Sequence, residues 1–143
     1  MPVRPVPRGY RTVTPYLAVR GAARLLAFVK AAFGAKVKEL VKGPKGGVTH
    51  AAVMIGDSMV MMGEARKGAA LYPAMLYVYV KGVDAVWRKA VKAGGKIRLK
   101  PTDMFYGDRT GAVDDACGNQ WWIATHRENL TEKEIARRAA GGG

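Results

Sequence analysis

His50 and Glu64 are the strongest candidates in this sequence for general acid-base chemistry. An imidazole gains and loses protons near neutral pH, and a carboxyl group that turns into an apolar cavity holds its proton more readily than one in water. We therefore predict His50 and Glu64 as the candidate catalytic residues. The structural alternative is a histidine hydrogen-bonded to a neighbouring strand and a solvated carboxylate at a strand end.

Aromatic and methionine side chains recur at strand spacing, so that they share one face of a sheet. In the run from Met75 to Val80, every second residue points to the same side. A concave apolar surface with a few polar groups is typical of a small-molecule pocket, although the same residues also suit a plain core. The predicted ligand-binding residues are Thr14, Tyr16, Met61, Met75, Tyr77, Tyr79, Phe105, Tyr106, Gln120 and Trp122.

The segment 103–109 is the most distinctive predicted loop. One interpretation is that Asp108 and Arg109 form an ion pair that pins the loop over the binding surface, with Phe105 and Tyr106 as a lid. The alternative is a tight turn whose aromatic side chains plug one end of the sheet. Both interpretations place the two aromatic residues beside the predicted pocket.

Motifs for several other chemistries are missing from the sequence. It contains no nucleotide-binding loop, no Ser-His-Asp arrangement and no Cys-Cys metal spacing. Its one cysteine, Cys117, lies close to Asp114 and Asp115, whose negative charges disfavour a thiolate. We therefore predict that Cys117 is not a nucleophile.

An internal repeat positions the candidate residues. Val19-Arg20-Gly21 corresponds to Val80-Lys81-Gly82, which lies 61 residues later in the chain. Hydrophobic periodicity and turn residues predict the order βαβββ in both copies. The predicted elements are 12–19, helix 22–33, 35–42, 48–55 and 58–63 in the first copy, then 74–80, helix 83–93, 96–100, 110–115 and 120–125 in the second.

These elements predict an α+β fold, in which two βαβββ repeats form a cup-shaped, barrel-like mixed sheet with the helices outside. A short C-terminal helix begins at the capping box of Thr131 and Glu134. The predicted organisation is an N-terminal arm (1–10), a domain over 11–128 with repeat one (11–64), linker (65–73) and repeat two (74–128), the C-terminal helix (129–140) and a disordered tail (141–143).

Composition bounds the class of protein. The 143 residues are 49% hydrophobic and 24% charged, which is enough for one domain with a buried core. No apolar run approaches the roughly 18 residues of a membrane span, and the N-terminus does not resemble a signal peptide, so we predict a soluble cytoplasmic protein without a membrane partner. Lys and Arg number 24 against 11 Asp and Glu, a net charge of +13. This charge attracts polyanions such as nucleic acid non-specifically, but the basic residues are scattered rather than grouped in a nucleic-acid-binding motif.

The chain resembles the PhnB-like branch of the glyoxalase and bleomycin-resistance (vicinal oxygen chelate) superfamily over about residues 10 to 140. The residues that carry the resemblance are 12–19, Gly21-Ala22-Ala23, Gly34-Ala35, His50, Ile55-Gly56-Asp57-Ser58, Val83-Asp84-Ala85-Val86, Phe105-Tyr106-Gly107-Asp108-Arg109 and 114–119. The resemblance implies a cup-shaped sheet, a homodimer and, in many relatives, a divalent metal that chelates two substrate oxygens.

The metal ligands of such relatives come from the first and last strands of each repeat. Carried over to this sequence, the four positions are Thr14, Met61, Met75 and Trp122. Two thioethers, an indole and a hydroxyl offer neither negative charge nor imidazole, so we predict no metal ligands and no cofactor. The alternative is a divalent metal displaced toward Glu64 and His50.

We therefore expect a small-molecule-binding homodimer whose aromatic and methionine-lined cup lacks the usual metal ligands and takes a flat apolar or weakly anionic ligand. The net charge disfavours bleomycin, which is cationic. One alternative is a lyase-, isomerase- or dioxygenase-like enzyme with a displaced metal or with His50 as its base. Another is a cationic scaffold, natural or engineered, that binds polyanions.

Overall fold

The computed structural model describes residues 2–141, which form eight strands and three helices. In chain order these are β1 (Tyr16–Val19), α1 (Ala22–Phe33), β2 (Lys36–Lys42), β3 (Val48–Ile55), β4 (Ser58–Glu64), β5 (Met75–Tyr79), α2 (Val83–Lys92), β6 (Lys96–Asp103), β7 (Asp108–Asp114), β8 (Gln120–His126) and α3 (Glu132–Ala140).

Each repeat forms its own four-stranded mixed sheet, with strand orders β1-β4-β3-β2 and β5-β8-β7-β6. The first strand of each repeat is parallel to the last, and the other neighbours are antiparallel. Tyr16 pairs with Met61 in the first sheet, and Tyr77 pairs with Trp122 in the second. Both residues of the second pair lie 61 positions after those of the first, so the two sheets share one register.

The helices lie on the inner side of both sheets. Helix α1 packs on β3 and β4, α2 packs on β6, β7 and β8, and the two helices pack against each other. Trp121, which is fully buried on β8, has its ring centroid 5.2 Å from that of Phe33 and 6.1 Å from that of Phe28 on α1. One core of buried aliphatic and aromatic residues therefore joins the two repeats.

The other face of each sheet turns away from the helices, and we call these faces the N-terminal and C-terminal half-cups. Strand alternation places Tyr16, Met61 and His50 on the first, and Met75, Tyr77, Tyr79 and Trp122 on the second. The chain before β1 lies over part of the N-terminal half-cup, since the backbone at Gly9 lies close to the methyl groups of Met54 and Met59.

The predicted α+β fold with two βαβββ repeats is confirmed, but the two sheets do not close into a barrel. Helices α1 and α2 pack against each other in the common core instead of lying outside a closed cup. Strand β1 begins at Tyr16 rather than at residue 12. Pro15 lacks an N–H for pairing, and the Thr14 hydroxyl donates to the Arg11 carbonyl at 3.0 Å, so the preceding chain turns instead. Strands β6 and β7 are longer than predicted, because their hairpin closes over residues 104–107 with Gly107 at φ 99°.

The C-terminal helix begins as its capping box predicts, since the Thr131 hydroxyl accepts a hydrogen bond from the Glu134 N–H at 3.1 Å. Most of the predicted disordered tail at 141–143 lies outside the described residues. No helix within residues 2–141 is long and apolar enough to cross a membrane.

Candidate functional site

The C-terminal half-cup is organised around the carboxylate of Asp108, the first residue of β7. Asp108 is only 4% exposed. Its Oδ2 accepts hydrogen bonds from the hydroxyls of Tyr77 and Tyr79, each at 2.9 Å, and its Oδ1 lies 2.8 Å from Nδ1 of His126. Three side chains on two strands, β5 and β8, therefore converge on one buried carboxylate from a third.

The protonation states of this cluster follow from its hydrogen bonds. Burial alone would raise the pKa of Asp108, but the hydrogen bonds from His126, Tyr77 and Tyr79 hold that pKa below its ordinary value. The hydrogen bond to Asp108, and next the one to Asn129, raises the pKa of His126. Burial, together with the bond to Asp108, raises the pKa of Tyr79. The cluster is thus an ionised carboxylate that holds two neutral phenols and an imidazole.

A second layer of hydroxyl groups fixes Tyr77. Its Oη lies 2.9 Å from the Thr110 hydroxyl and 3.2 Å from that of Tyr106. Burial raises the pKa of Tyr77 further above its ordinary value. Phe105 stacks edge-on against Tyr106 with ring centroids 5.2 Å apart. The structure thus brings Tyr106 into the cluster and seats Phe105 beside it.

The other end of this half-cup contains Met75, Gln120 and Trp122. Met75 pairs with Gln120 in the register of β5 and β8, and the Trp122 Nε1–H donates to Gln120 Oε1 at 3.0 Å. The indole N–H is therefore directed toward Gln120 of the same strand. The predicted residues of the second repeat do share one surface.

The N-terminal half-cup carries a chain of polar contacts through His50. Its Nδ1 lies 3.5 Å from the Tyr16 hydroxyl, and its Nε2 lies 3.3 Å from Oε1 of Glu39 on β2. The rings of Tyr16 and His50 stack at 5.8 Å. Glu39 was not predicted as a site residue, and its place beside His50 depends on an irregularity in the pairing of β2 and β3 between Val37 and Glu39.

Glu64 and Thr14 lie outside both half-cups, which corrects the expectation for both. The Glu64 carboxylate accepts hydrogen bonds from the backbone N–H groups of Gly21 and Ala22, the latter at 2.9 Å, and so caps α1. Strand alternation explains this, because Met61 faces the cup and a residue three positions later faces the helix. Thr14 precedes β1 and bonds to Arg11.

The ion pair between Asp108 and Arg109, one of the two interpretations of this segment, is not formed, because adjacent strand residues point to opposite faces. The Arg109 guanidinium instead binds Asp84 at the start of α2, with Nε to Oδ1 at 2.8 Å, and Asp103 at 3.2 Å. Arg109 thus connects β7 to α2 and to the end of β6, while the Asp108 side chain lies on the opposite face of β7, beneath the C-terminal half-cup. The ion pairs of Arg109 thus fix the strand ends on either side of the loop 104–107.

The residues at the usual metal positions do not fit a divalent cation. Met61, Met75 and Trp122 offer no charged or imidazole donor, and the hydroxyl of Thr14 is engaged by a backbone carbonyl. The carboxylate of Glu64, on which a displaced centre near His50 would depend, is bound to the backbone of α1. Among residues 2–141, no three His, Cys, Asp or Glu side chains are grouped so that they could hold a metal ion.

In the C-terminal half-cup, Asp108 and His126 were not predicted as site residues. The signal for Asp108 was its place two residues before Thr110, which puts it on the cup face if β7 extends that far. His126 follows Trp122 and Ala124 at the same spacing, so the alternation of β8 already aimed it at the cup. Both lie just beyond the predicted strand ends.

Comparison with known protein families and sequences identifies a family and relatives of this chain. The model of the Glyoxalase/Bleomycin resistance protein/Dioxygenase superfamily matches residues 11–123. The uncharacterized protein Mb0911c of Mycobacterium bovis is 30% identical over 92% of this chain and 95% of its own length, and the uncharacterized protein Rv0887c of Mycobacterium tuberculosis is 30% identical over 92% and 85%.

Solved structures share the fold at lower sequence identity. TioX from Micromonospora sp. ML1 aligns with a TM-score of 0.69 and 21% identity over 81% of this chain and 98% of its own. A glyoxalase/bleomycin resistance protein/dioxygenase family enzyme from Burkholderia phytofirmans PsJN aligns with a TM-score of 0.66 and 17% identity over 79% and 96%. At these identities the likeness concerns the fold alone.

Proposed function

The chain belongs to the Glyoxalase/Bleomycin resistance protein/Dioxygenase superfamily, and from this membership we propose that it binds a small, flat molecule in a cup lined by aromatic and methionine side chains. The Asp108 cluster carries the proposal. Burying a carboxylate costs free energy unless its oxygens are well bonded. Here the bonds come from Tyr77, Tyr79 and His126, so the buried charge holds these rings in place on an open sheet face.

A fixed aromatic surface that remains open to solvent suits a ligand better than it suits a core. Tyr79 is 62% exposed and Met75 is 61% exposed, although both lie on a sheet face lined with apolar groups. A ligand that covers them removes this apolar area from water without having to order the rings first. The proposed contacts are Met75, Tyr77, Tyr79, Phe105, Tyr106, Gln120 and Trp122, with Tyr16 and Met61 from the other half-cup.

The two half-cups of one chain face away from each other, because the helices lie between the sheets. We propose that a complete cup forms between two copies, in which the N-terminal half-cup of one protomer faces the C-terminal half-cup of its partner. Within residues 2–141, edge strands β1 and β5 each have a neighbouring strand on one side only, and an apolar groove of about 1190 Å³ runs beside both. A second copy would cover these edges and the groove together.

The placement in the PhnB-like branch is part of the same proposal. It rests on the order of the motifs along the chain, above all on the segment Phe105-Tyr106-Gly107-Asp108-Arg109. In the structure this segment supplies the buried carboxylate, one of its supporting hydroxyls and the arginine that anchors the hairpin to α2. Its residues therefore have a shared structural reason to occur together.

A screen of planar aromatic fragments by ligand-observed NMR tests the proposed binding. We expect several fragments to bind the wild-type protein and to lose binding in Trp122→Ala, whereas Tyr72→Ala, which changes an aromatic residue that is 86% exposed in the linker, keeps it. Binding that survives in Trp122→Ala, or a screen without hits, would refute the proposal. Thermal unfolding of each variant shows that the fold is retained.

A second candidate function, a proton-transferring enzyme, is favoured by the contacts of His50. A base that lies between a phenol and a carboxylate is oriented by the carboxylate and can exchange a proton with the phenol. The reaction class would be an isomerisation, in which His50 removes a proton from carbon and returns it to another atom of the same substrate. Turnover that persists in His50→Gln but is lost in Tyr16→Phe would exclude His50 as the base.

A further inference from the structure

We propose that the C-terminal half-cup recognises a ligand that brings its own hydrogen-bond donors, specifically an uncharged planar aromatic molecule with an N–H or O–H at its edge. This inference rests on the proposed function of the cup and narrows the class of ligand. It follows from the hydrogen-bond acceptors to which the hydroxyl and ring N–H groups of the lining residues already donate.

The ionised carboxylate of Asp108 fixes the direction of the phenol hydrogen bonds. A carboxylate only accepts, so Tyr77 and Tyr79 must each donate their single hydroxyl hydrogen to it. With its own hydrogen committed, the Tyr77 oxygen can only accept from its other neighbours. The hydroxyls of Thr110 and Tyr106, at 2.9 Å and 3.2 Å, must therefore donate to Tyr77.

The remaining ring donors on these strands are committed in the same way. The Trp122 Nε1–H donates to Gln120 Oε1 at 3.0 Å. His126 has oxygen partners on both ring nitrogens, Asp108 Oδ1 and Asn129 Oδ1, each at 2.8 Å. No tyrosine, tryptophan or histidine donor of this half-cup therefore remains free for a ligand.

Lone pairs and ring faces are what this surface still offers. The oxygens of Tyr79 and Tyr106 each have acceptor capacity left after donating, and Tyr79 is 62% exposed. A ligand N–H directed at Tyr79 Oη would complete a chain that runs from the ligand through the phenol to Asp108. Such a hydrogen-bonded chain strengthens each of its members.

Within strands β5, β7 and β8, the amide of Gln120 is the side-chain donor that remains uncommitted, and it lies at the opposite end. Gln120 pairs with Met75, whereas Tyr79 pairs with Ala124, so four residues separate them along the strand, on the order of 13 Å. Arg138, near the loop, gives its N–H groups to the Phe105 carbonyl, Glu128 and Glu134. The groups that hydrogen bonds hold in place at the Tyr79 end therefore offer acceptors, and the donor nearby is the ammonium of Lys81 on its flexible stem.

The hydrogen-bond polarity at Tyr79 argues against an anionic group, which revises the expectation of a weakly anionic ligand, and the net charge of the protein argues against a cation. A carboxylate placed against the Tyr79 hydroxyl would meet oxygen lone pairs there, and the donor within reach would be the Lys81 ammonium, which Lys81→Ala removes. A cation would meet the field of a protein with a net charge of +13. A neutral N–H or O–H on a flat ring avoids both penalties and keeps its faces for stacking on the aromatic side chains.

Indole and benzofuran test the inference, because they share size and shape but only indole has an edge N–H. We expect NMR titrations to show indole binding about tenfold more tightly than benzofuran, as one added hydrogen bond predicts. In Tyr79→Phe the two affinities should come within about twofold of each other. Tyr72→Phe in the linker is the matched control and should keep the preference.

Lys81 provides a second control, since it follows β5 and its ammonium is a donor on a flexible stem. Lys81→Ala should leave the indole preference unchanged. Equal affinities in the wild-type protein, an indole preference that survives in Tyr79→Phe, or no binding of either probe would overturn the inference. The first two outcomes leave the proposed function intact, and the fragment screen decides that function separately.

Discussion

The hydroxyl of Tyr16 on β1 occupies the space beside Gly63 on β4 that a side chain there would fill. A Cβ at Gly63 would lie 2.3 Å from Tyr16 Oη, and 3.3 Å from the carbonyl oxygen of Thr49 on the other side. The phenol therefore lies across β4 toward β3, where it reaches His50. Gly63 is the position that lets the three strands share this contact.

Gly63→Ala should push Tyr16 off its strand and break its contact with His50. Because the phenol ring and a backbone carbonyl both crowd the new methyl group, we expect a loss of about 1–3 kcal/mol in the free energy of unfolding. Urea unfolding measures this loss. Gly47→Ala is the control, since a Cβ at Gly47 meets nothing within 4 Å. An unchanged His50 ring signal in the NMR spectrum of Gly63→Ala would contradict the assigned contact.

Asp108→Asn should destabilise the second sheet more than an ordinary surface substitution. The amide carries hydrogens of its own and cannot accept from two phenols and an imidazole at once, so buried donors lose their partner. We expect a loss of about 2–4 kcal/mol by urea unfolding and a change in the near-ultraviolet circular dichroism of the tyrosines. Asp57→Asn, in the exposed turn after β3, should leave both within error. An unchanged free energy of unfolding in Asp108→Asn would mean that the cluster does not depend on the charge of the carboxylate.

The pair of Asp108 and His126 should give stability a defined pH window. The pKa of Asp108 is lowered in the folded state, so its contribution is present above the unfolded value of about 3.9 and is lost as pH falls through the folded value. The pKa of His126 is raised, so its contribution is present below about 6.5 and is lost as pH rises through the folded value.

The difference in unfolding free energy between the wild-type protein and His126→Gln should therefore be largest at about pH 4 to 6.5 and smaller at pH 9. Urea unfolding at pH 5, 7 and 9 measures it. Because the imidazole is half exposed, salt should reduce the difference. A difference that grows toward pH 9 would show that the pair is not ionic.

Glu64 should matter for stability and not for the cup. Glu64→Ala removes the acceptor for two N–H groups at the start of α1, which we expect to cost about 1 kcal/mol. Fragment binding should stay at the wild-type affinity. Glu39→Ala is the contrasting variant, because it removes a carboxylate that contacts His50 in the N-terminal half-cup instead of one that caps a helix. Loss of binding in Glu64→Ala without loss of stability would return this residue to the site.

Strand alternation and the repeat predicted which side chains of the second repeat share a sheet face. The pairing of Tyr77 with Trp122 follows from one internal repeat and a period of two, both of which are local properties of the chain. The same rule also places Glu64 on the helix side of β4 once Met61 is assigned to the cup. The expectation that the Glu64 side chain could turn into the cup conflicts with this alternation.

The Asp108 cluster could not be predicted in this way, because it depends on strand ends and tertiary convergence. Strand β7 begins at Asp108, which pairs with His126 of β8, and a turn-rich sequence does not reveal that the strand starts there. The neighbour of Asp108 that bears the opposite charge, Arg109, suggested an ion pair. The Arg109 side chain points to the opposite face of β7 from Asp108, and its guanidinium binds Asp84 instead.

Mixing two defective variants should restore binding if the cup forms between protomers. Met61→Arg places a charge in the N-terminal half-cup, and Trp122→Arg places one in the C-terminal half-cup. Each homodimer has two damaged cups. A mixed dimer has one cup with both defects and one with none, because each complete cup takes one half from each protomer. Random exchange should therefore restore about a quarter of the wild-type binding capacity at wild-type affinity.

The outcome separates a shared cup from two independent half-sites. Light scattering should first show dimers for the wild-type protein and for both variants, so that a loss of binding is not a loss of assembly. If each half-cup bound alone, Met61→Arg would keep the binding of indole at Tyr79 and mixing would add nothing. Restored binding would instead require that Tyr16 of one protomer and Tyr77 of its partner face the same ligand, since neither chain can bring its own two half-cups together around the helices between them.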